Sequence, residues 1–161
     1  MRFTLRLERR NYILKHFEAS SEAGSKFFPQ IFSNPEDLVS FINVYPPKEK
    51  KRQSPQRMAF VFVHPEQLHL GNSAVTQRKN IDPQNIISQD HNGHKIDIGM
   101  VSELPACTTF CVIADEKEDH FEIITTFPGN WAPPFPHAGL KGKDLKESLH
   151  FWEENILLKV R

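Results

Sequence analysis

Thr108-Thr109-Phe110-Cys111-Val112-Ile113-Ala114, the acidic turn Asp115 to Asp119, and Phe121-Glu122-Ile123-Ile124-Thr125-Thr126-Phe127 form the stretch on which the fold turns. Two runs rich in β-branched and aromatic residues, parted by a short polar turn, have the spacing of an antiparallel β-hairpin. Pro128-Gly129 ends the second run. Upstream, Met58-Ala59-Phe60-Val61-Phe62-Val63 is continuously apolar and of strand length, which predicts a central strand covered on both faces. At the start of the chain Phe3, Leu5 and Leu7 alternate with polar residues and predict one further short strand.

Helical material flanks these strands. In Ser33-Asn34-Pro35-Glu36-Asp37 a capping side chain precedes a proline suited to the first helical position and two acids suited to the first turn, and Leu38, Phe41 and Ile42 supply an apolar stripe. Near the other end, Asp144 is expected to cap a helix whose apolar residues Leu145, Leu149, Trp152 and Ile156 recur at helical spacing and pack on the sheet. Pro46 to Pro55, with prolines at both ends and four cations, is expected to be a solvated loop. Residues 64–106 predict a long irregular stretch with short elements. Trp131-Ala132-Pro133-Pro134-Phe135-Pro136 must run extended as a strap. The class expected is therefore α+β, with an antiparallel β-sheet of about four or five strands and packed helices, including a C-terminal helix. At 161 residues the chain fits one domain over 1–161, within the usual ~100–200. Residues 1–56 would contribute a strand and helix segment, and 57–161 the sheet core, strap and closing helix.

Leu, Ile, Val and Phe account for 45 residues, too many for a disordered chain. Lys+Arg and Asp+Glu both number 20, so no overall field marks a general nucleic-acid coat or membrane-surface binder. The zero is a sum of unlike halves, because residues 1–57 carry 11 basic and 6 acidic side chains whereas residues 58–161 carry 9 and 14. The alternating start is not a signal peptide and no long apolar run is present, so a cytoplasmic chain with no membrane partner is expected. Cys107 and Cys111, four apart in a predicted strand, would sit ~13 Å apart and could not form a disulfide.

The densest cluster of reactive side chains is Asp90-His91-Asn92-Gly93-His94-Lys95, with Arg78-Lys79 upstream. Histidine titrates near neutrality, so a loop-borne pair beside cations can move protons and stabilise negative charge, the equipment of metal-free RNA cleavage. His94 is the candidate base or acid and His91 its partner. Lys95, Arg78 and Lys79 are candidate anion stabilisers. Thr125 and Thr126 point to opposite faces of their strand, so one of them could donate to a phosphate. Each also has a plainer reading: exposed loop histidines, a solvated cationic loop end, and threonines that simply suit a pleated surface. Zinc on His64 and His69, or on His91 and His94 with Asp90 or Asp97, matches no known short ligand motif, and no metal or cofactor is expected.

Gly93-His94-Lys95 ahead of Ile96-Asp97-Ile98-Gly99, a strand, and then Phe121-Glu122-Ile123-Ile124-Thr125-Thr126-Phe127-Pro128-Gly129 resembles the RNase toxins of the barnase, EndoU, colicin and Rel-toxin superfamily. The resemblance covers roughly residues 57–130. It implies a metal-independent endoribonuclease of toxin type, with RNA as substrate and an immunity or antitoxin protein as neutralising partner. It places His94 in the acid-base role, Lys95 as charge stabiliser and Thr125 or Thr126 at the phosphate. The strap and closing helix lie outside the shared pattern. The competing reading is a noncatalytic interaction module, such as an immunity, adaptor or phage-borne protein, for which neutral charge and an aromatic-proline strap would suit a protein surface.

Overall fold

The predicted hairpin lies inside a larger sheet. The computed structural model describes residues 1–17, 20 and 24–161. Along the chain these form β1 (Phe3–Leu5), α1 (Leu7–Ile13), α2 (Pro35–Ile42), β2 (Glu49–Arg52), β3 (Arg57–Val63), β4 (Gly71–Asn72), β5 (Val75–Gln77), β6 (Ile86–His91), β7 (His94–Val101), β8 (Ala106–Cys107), β9 (Thr109–Glu116), β10 (Phe121–Pro128), α3 (Gly142–Glu154) and β11 (Asn155–Val160). The class is α+β. The chain divides into two compact units, each made of two segments: residues 1–73 with 105–131, and residues 74–104 with 132–161. Among the described residues no helix is long and apolar enough to cross a membrane.

In the first unit the order β1-β10-β9-β3-β2 makes a five-stranded sheet. β9 takes the middle because it is apolar on both faces, and Phe110, Cys111, Val112 and Ala114 are fully buried. On the inner face Phe60, Phe62, Phe110 and Ile123 meet Ile13, Phe17, Phe27, Phe32, Leu38 and Ile42 from the segments around α1 and α2. Rings dominate this core, with Phe3 edge-on to Phe60 at 5.1 Å and Phe62 stacked on Phe110 at 5.2 Å, geometries favoured by the ring quadrupole. The outer face carries Ala59, Cys111 and Ile113 with Ile124, Phe127 and Trp131. α2 starts as expected, since the Asn34 side chain accepts from the Asp37 amide at 2.9 Å and Pro35 is the first helical residue.

Several expectations are corrected here. The sheet is not purely antiparallel, because β1 pairs parallel with β10. β1 stops at Leu5, and Leu7 opens α1 with its side chain 80% exposed. Residues 49–52 are an edge strand rather than part of a solvated loop. Four charged residues suit that position, where side chains that repel further pairing protect an open edge. Cys107 and Cys111 do not share one strand, since β8 ends at Cys107 and β9 begins at Thr109.

The second unit holds a separate four-stranded sheet, order β5-β11-β7-β6, and the first unit holds a third, two-stranded pairing of β4 with β8. Residues 64–106, expected to be irregular, contain the β6–β7 hairpin, closed by Asn92-Gly93 with φ of 49° and 84°. Two successive positive φ values make a type I′ turn, which matches the twist of the strands it joins. The predicted closing helix is shorter than its apolar spacing suggested. α3 begins after Lys141 without a side-chain cap, Asp144 lies within its first turn, and Ile156 belongs to β11. Leu149 is 52% exposed, while the buried residue of α3 is Ser148. The helix is tied to the strap by polar bonds: Ser148 Oγ donates to the Pro134 carbonyl at 2.7 Å, and Trp152 Nε1 to that of Pro133 at 3.2 Å. Leu104, Ile156 and Leu158 form this unit's own core, with Ile81, Ile86 and Val101 packed against them.

Candidate functional site

The type I′ turn sets His91 and His94 directly opposite each other as cross-strand partners. Paired residues of an antiparallel ladder lie ~5 Å apart at Cα and project to the same face. Both imidazoles are exposed. Asp90 pairs with Lys95 one step along, so side-chain alternation directs that pair to the opposite face. His94 and Lys95, neighbours in sequence, therefore diverge.

The strap supplies what the hairpin lacks. The His91 ring meets Phe135 edge-on at 5.3 Å, and Phe135 lies against Trp152 at 4.3 Å. Beside these rings is a cleft of 190 Å³ lined by Arg78, Lys95, Asp97, Phe135, Trp152 and Glu153 among others. Arg78 is engaged on every side: Nη1 donates to Asp97 at 2.6 Å, Nη2 to the Trp152 carbonyl at 2.9 Å and Nε to the Glu153 carbonyl at 3.1 Å. Its guanidinium holds the Asp97 carboxyl below the usual range, and the Ser88 hydroxyl, donating at 3.0 Å, adds to the effect. Arg78 is thus a fastening between β7 and the end of α3, which leaves Lys95 as the cation of the cleft. Lys79 follows in a single exposed 3-10 turn.

Thr125 and Thr126 lie in the first unit, on β10. The register opposes Thr126 to Val112 on the inner face and Thr125 to Ile113 on the outer one. Thr126 is buried and its hydroxyl donates to the Cys111 carbonyl at 2.8 Å. That hydroxyl is spent on the sheet, so of the two only Thr125 projects to the outer face. The histidines and the threonines fall in different sheets. Among the described residues no three His, Cys, Asp or Glu side chains gather as metal ligands. His64 instead stacks on Phe41 at 5.9 Å and accepts the Glu66 amide at 3.1 Å. Both cysteines are free thiols, pushed up by burial to about 11 for Cys107 and about 12 for Cys111.

Sequence reasoning places Phe135 in the aromatic-proline strap and Trp152 on the closing helix, but neither beside the histidines. The strap already carried the signal of an aromatic run that has to stay extended, and only the fold shows that it runs beside His91.

No family model matches the chain, and no curated protein matches it. In structure it is similar to a conserved hypothetical protein from Toxoplasma gondii ME49, known from a crystal structure, with a TM-score of 0.56 over 99% of this chain and 94% of that one. The two are 10% identical, so the likeness concerns the fold alone.

Proposed function

We propose that the chain is a metal-independent endoribonuclease that cleaves RNA with His91 and His94, acts in the cytoplasm and, being of toxin type, is restrained by a neutralising protein. One observation carries the reading: two exposed imidazoles face the same way across a tight turn, one of them packed on an aromatic pair beside a lysine-bearing cleft. An imidazole serves as either base or acid, so one ring can accept a proton while its neighbour donates one. One histidine takes the proton from a ribose 2′-hydroxyl and the oxygen attacks the adjacent phosphorus. The bond to the departing 5′-oxygen breaks as the other histidine protonates that oxygen, leaving a 2′,3′-cyclic phosphate. Phe135 with Trp152 offers a surface on which an unpaired base stacks, and Lys95, on the other face of the hairpin from the two histidines, lends positive charge to the cleft beside those rings rather than to the scissile phosphate.

Incubation of the purified chain with end-labelled single-stranded RNA in EDTA is expected to give products ending in cyclic phosphate, with an all-deoxy strand left whole. His91→Ala and His94→Ala are each expected to lower the rate by ~10²–10⁴-fold, with circular dichroism unchanged. Intact RNA, or histidine variants that cut as fast as the parent, would overturn the assignment.

The charge of the cleft favours the second reading, a noncatalytic interaction module. Asp97 answers Arg78 and Glu153 lies on the same lining as Lys95, whereas RNA binding draws on excess positive charge. Saturable capture of a protein partner by a chain that leaves RNA intact would support it.

A further inference from the structure

A strand at the edge of a sheet offers unpaired N–H and C=O groups to any extended chain, and most edges of this molecule are closed against that. In the first unit β2 carries Lys50, Lys51 and Arg52. On β1 the Asn43 side chain accepts from the Phe3 amide at 2.8 Å and donates to the Phe3 carbonyl at 3.1 Å. Beyond β1, Arg9 Nη2 donates to the Ile124 carbonyl of β10 at 2.7 Å. In the second unit the edge strand β5 is only three residues long. The opposite edge, β6, runs Ile86-Ile87-Ser88-Gln89-Asp90-His91 with no Lys, Arg or Pro and an unbroken register. Every residue from Ile87 to His91 is exposed, Ile87 by 42%.

The ladder with β7 fixes which groups are free. A two-residue type I′ turn makes His91 and His94 a hydrogen-bonded pair, so His91, Gln89 and Ile87 spend their backbone groups on β7 while Asp90, Ser88 and Ile86 direct theirs outward. The Ile86 amide is already taken by the Pro83 carbonyl, which leaves the Ile86 carbonyl and both groups of Ser88 and Asp90. Only an extended chain satisfies such a row, and a second β6, antiparallel about a two-fold axis, presents the same row to the first. We propose that the chain forms a homodimer in which two β6 strands pair and join two four-stranded sheets into one. Outward groups must meet outward groups. An axis through Ile87 would call on the engaged Ile86 amide, whereas axes through Ser88 and Gln89 make equally many bonds. Through Gln89 the two Asp90 carboxylates become diagonal neighbours and repel. Through Ser88 each Asp90 faces Ile86 of the other copy, the carboxylates stand ~13 Å apart along the strands, and the two exposed Ile87 side chains become the diagonal neighbours that cover each other. Charge and burial thus both select the axis through Ser88. The two histidine turns lie outside the ladder, at its opposite ends, so the inference does not depend on the catalytic reading.

Sedimentation equilibrium of the purified chain over a dilution series is expected to show a monomer–dimer equilibrium. Ile87→Lys brings two like charges together across the axis and leaves the backbone ladder intact, so it should weaken the dimer by about tenfold with circular dichroism unchanged. Ser88→Cys sets a thiol on the axis, opposite its own copy at a Cα separation of ~5.5 Å, and mild oxidation should link the two copies by a disulfide. Asp90→Cys, whose thiols lie far apart in this register, should not cross-link. A chain that stays monomeric at its highest soluble concentration, a dimer as tight in Ile87→Lys as in the parent, or cross-linking of Asp90→Cys as ready as that of Ser88→Cys would overturn the inference.

Discussion

The guanidinium of Arg78 satisfies a carboxylate and two carbonyls at once, a fork that lysine cannot reproduce. Arg78→Ala is expected to destabilise the second unit by about 2 kcal/mol, at the low end for charged hydrogen bonds because the pair is partly exposed. Urea unfolding followed by Trp152 fluorescence measures this, and an unmoved midpoint would refute the fastening role. The same pair has a pH signature. The folded Asp97 carboxyl titrates below its ordinary 3.8, so its contribution is present above that value and is lost as pH falls through the lower folded value. Acid unfolding of the parent should therefore show a dependence below about pH 4 that shrinks in Arg78→Ala. Thr126→Val, which removes a buried donor from the Cys111 carbonyl, should cost ~1–3 kcal/mol without slowing RNA cleavage. Alternation showed in the sequence that only one of Thr125 and Thr126 could face inward. Which one could not be read, because an irregularity between Ile123 and Thr125 shifts the register, and such bulges leave no fixed mark in the residues.

At the scale of elements, the catalytic proposal rests on one turn. Gly93 has φ 84°, and a side chain there meets the left-handed penalty of ~1–2 kcal/mol. Gly93→Val is therefore expected to lower both the melting temperature and RNA cleavage, whereas His94→Ala lowers cleavage alone; a Gly93→Val protein with parental activity would separate the turn from the chemistry. Asn-Gly between strands is a known hairpin signal, and it was legible. What hid the hairpin was β6, whose residues Ile87 to His91 are all exposed, so the run lacked the apolar alternation that marks a half-buried strand. The opposite error attended α3, where Leu145, Leu149, Trp152 and Ile156 kept helical spacing although the chain had already become a strand at Asn155. Spacing alone does not say where a helix stops. By contrast β3, β9, β10 and the start of α2 were read from local chemistry, because long apolar runs and a capped Asn-Pro entry depend little on distant partners.

For the molecule as a whole, the balance of charge sorts by segment: the basic excess of residues 1–57 includes the lysines of the β2 edge strand, and the histidine hairpin sits in the acidic remainder. Cys111 is buried and Cys107 half-buried, and both thiols are protonated at neutral pH. Ellman's reagent at pH 8 is thus expected to react slowly with the native chain and with two equivalents in urea, since the thiolate is the reactive form; rapid native labelling would contradict the burial. Structural likeness at 10% identity fits a fold specified by the placement of apolar runs more than by particular side chains. The second unit's strand order has one more consequence, for the order of synthesis. β11 sits between β5 and β7, yet it is translated after residues 105–154. On the ribosome the β6–β7 hairpin can close early, while the flanks of β5 and β7 that await β11 stay open through that whole interval. Those open flanks are where a chaperone or a neighbouring nascent chain can add a strand of its own.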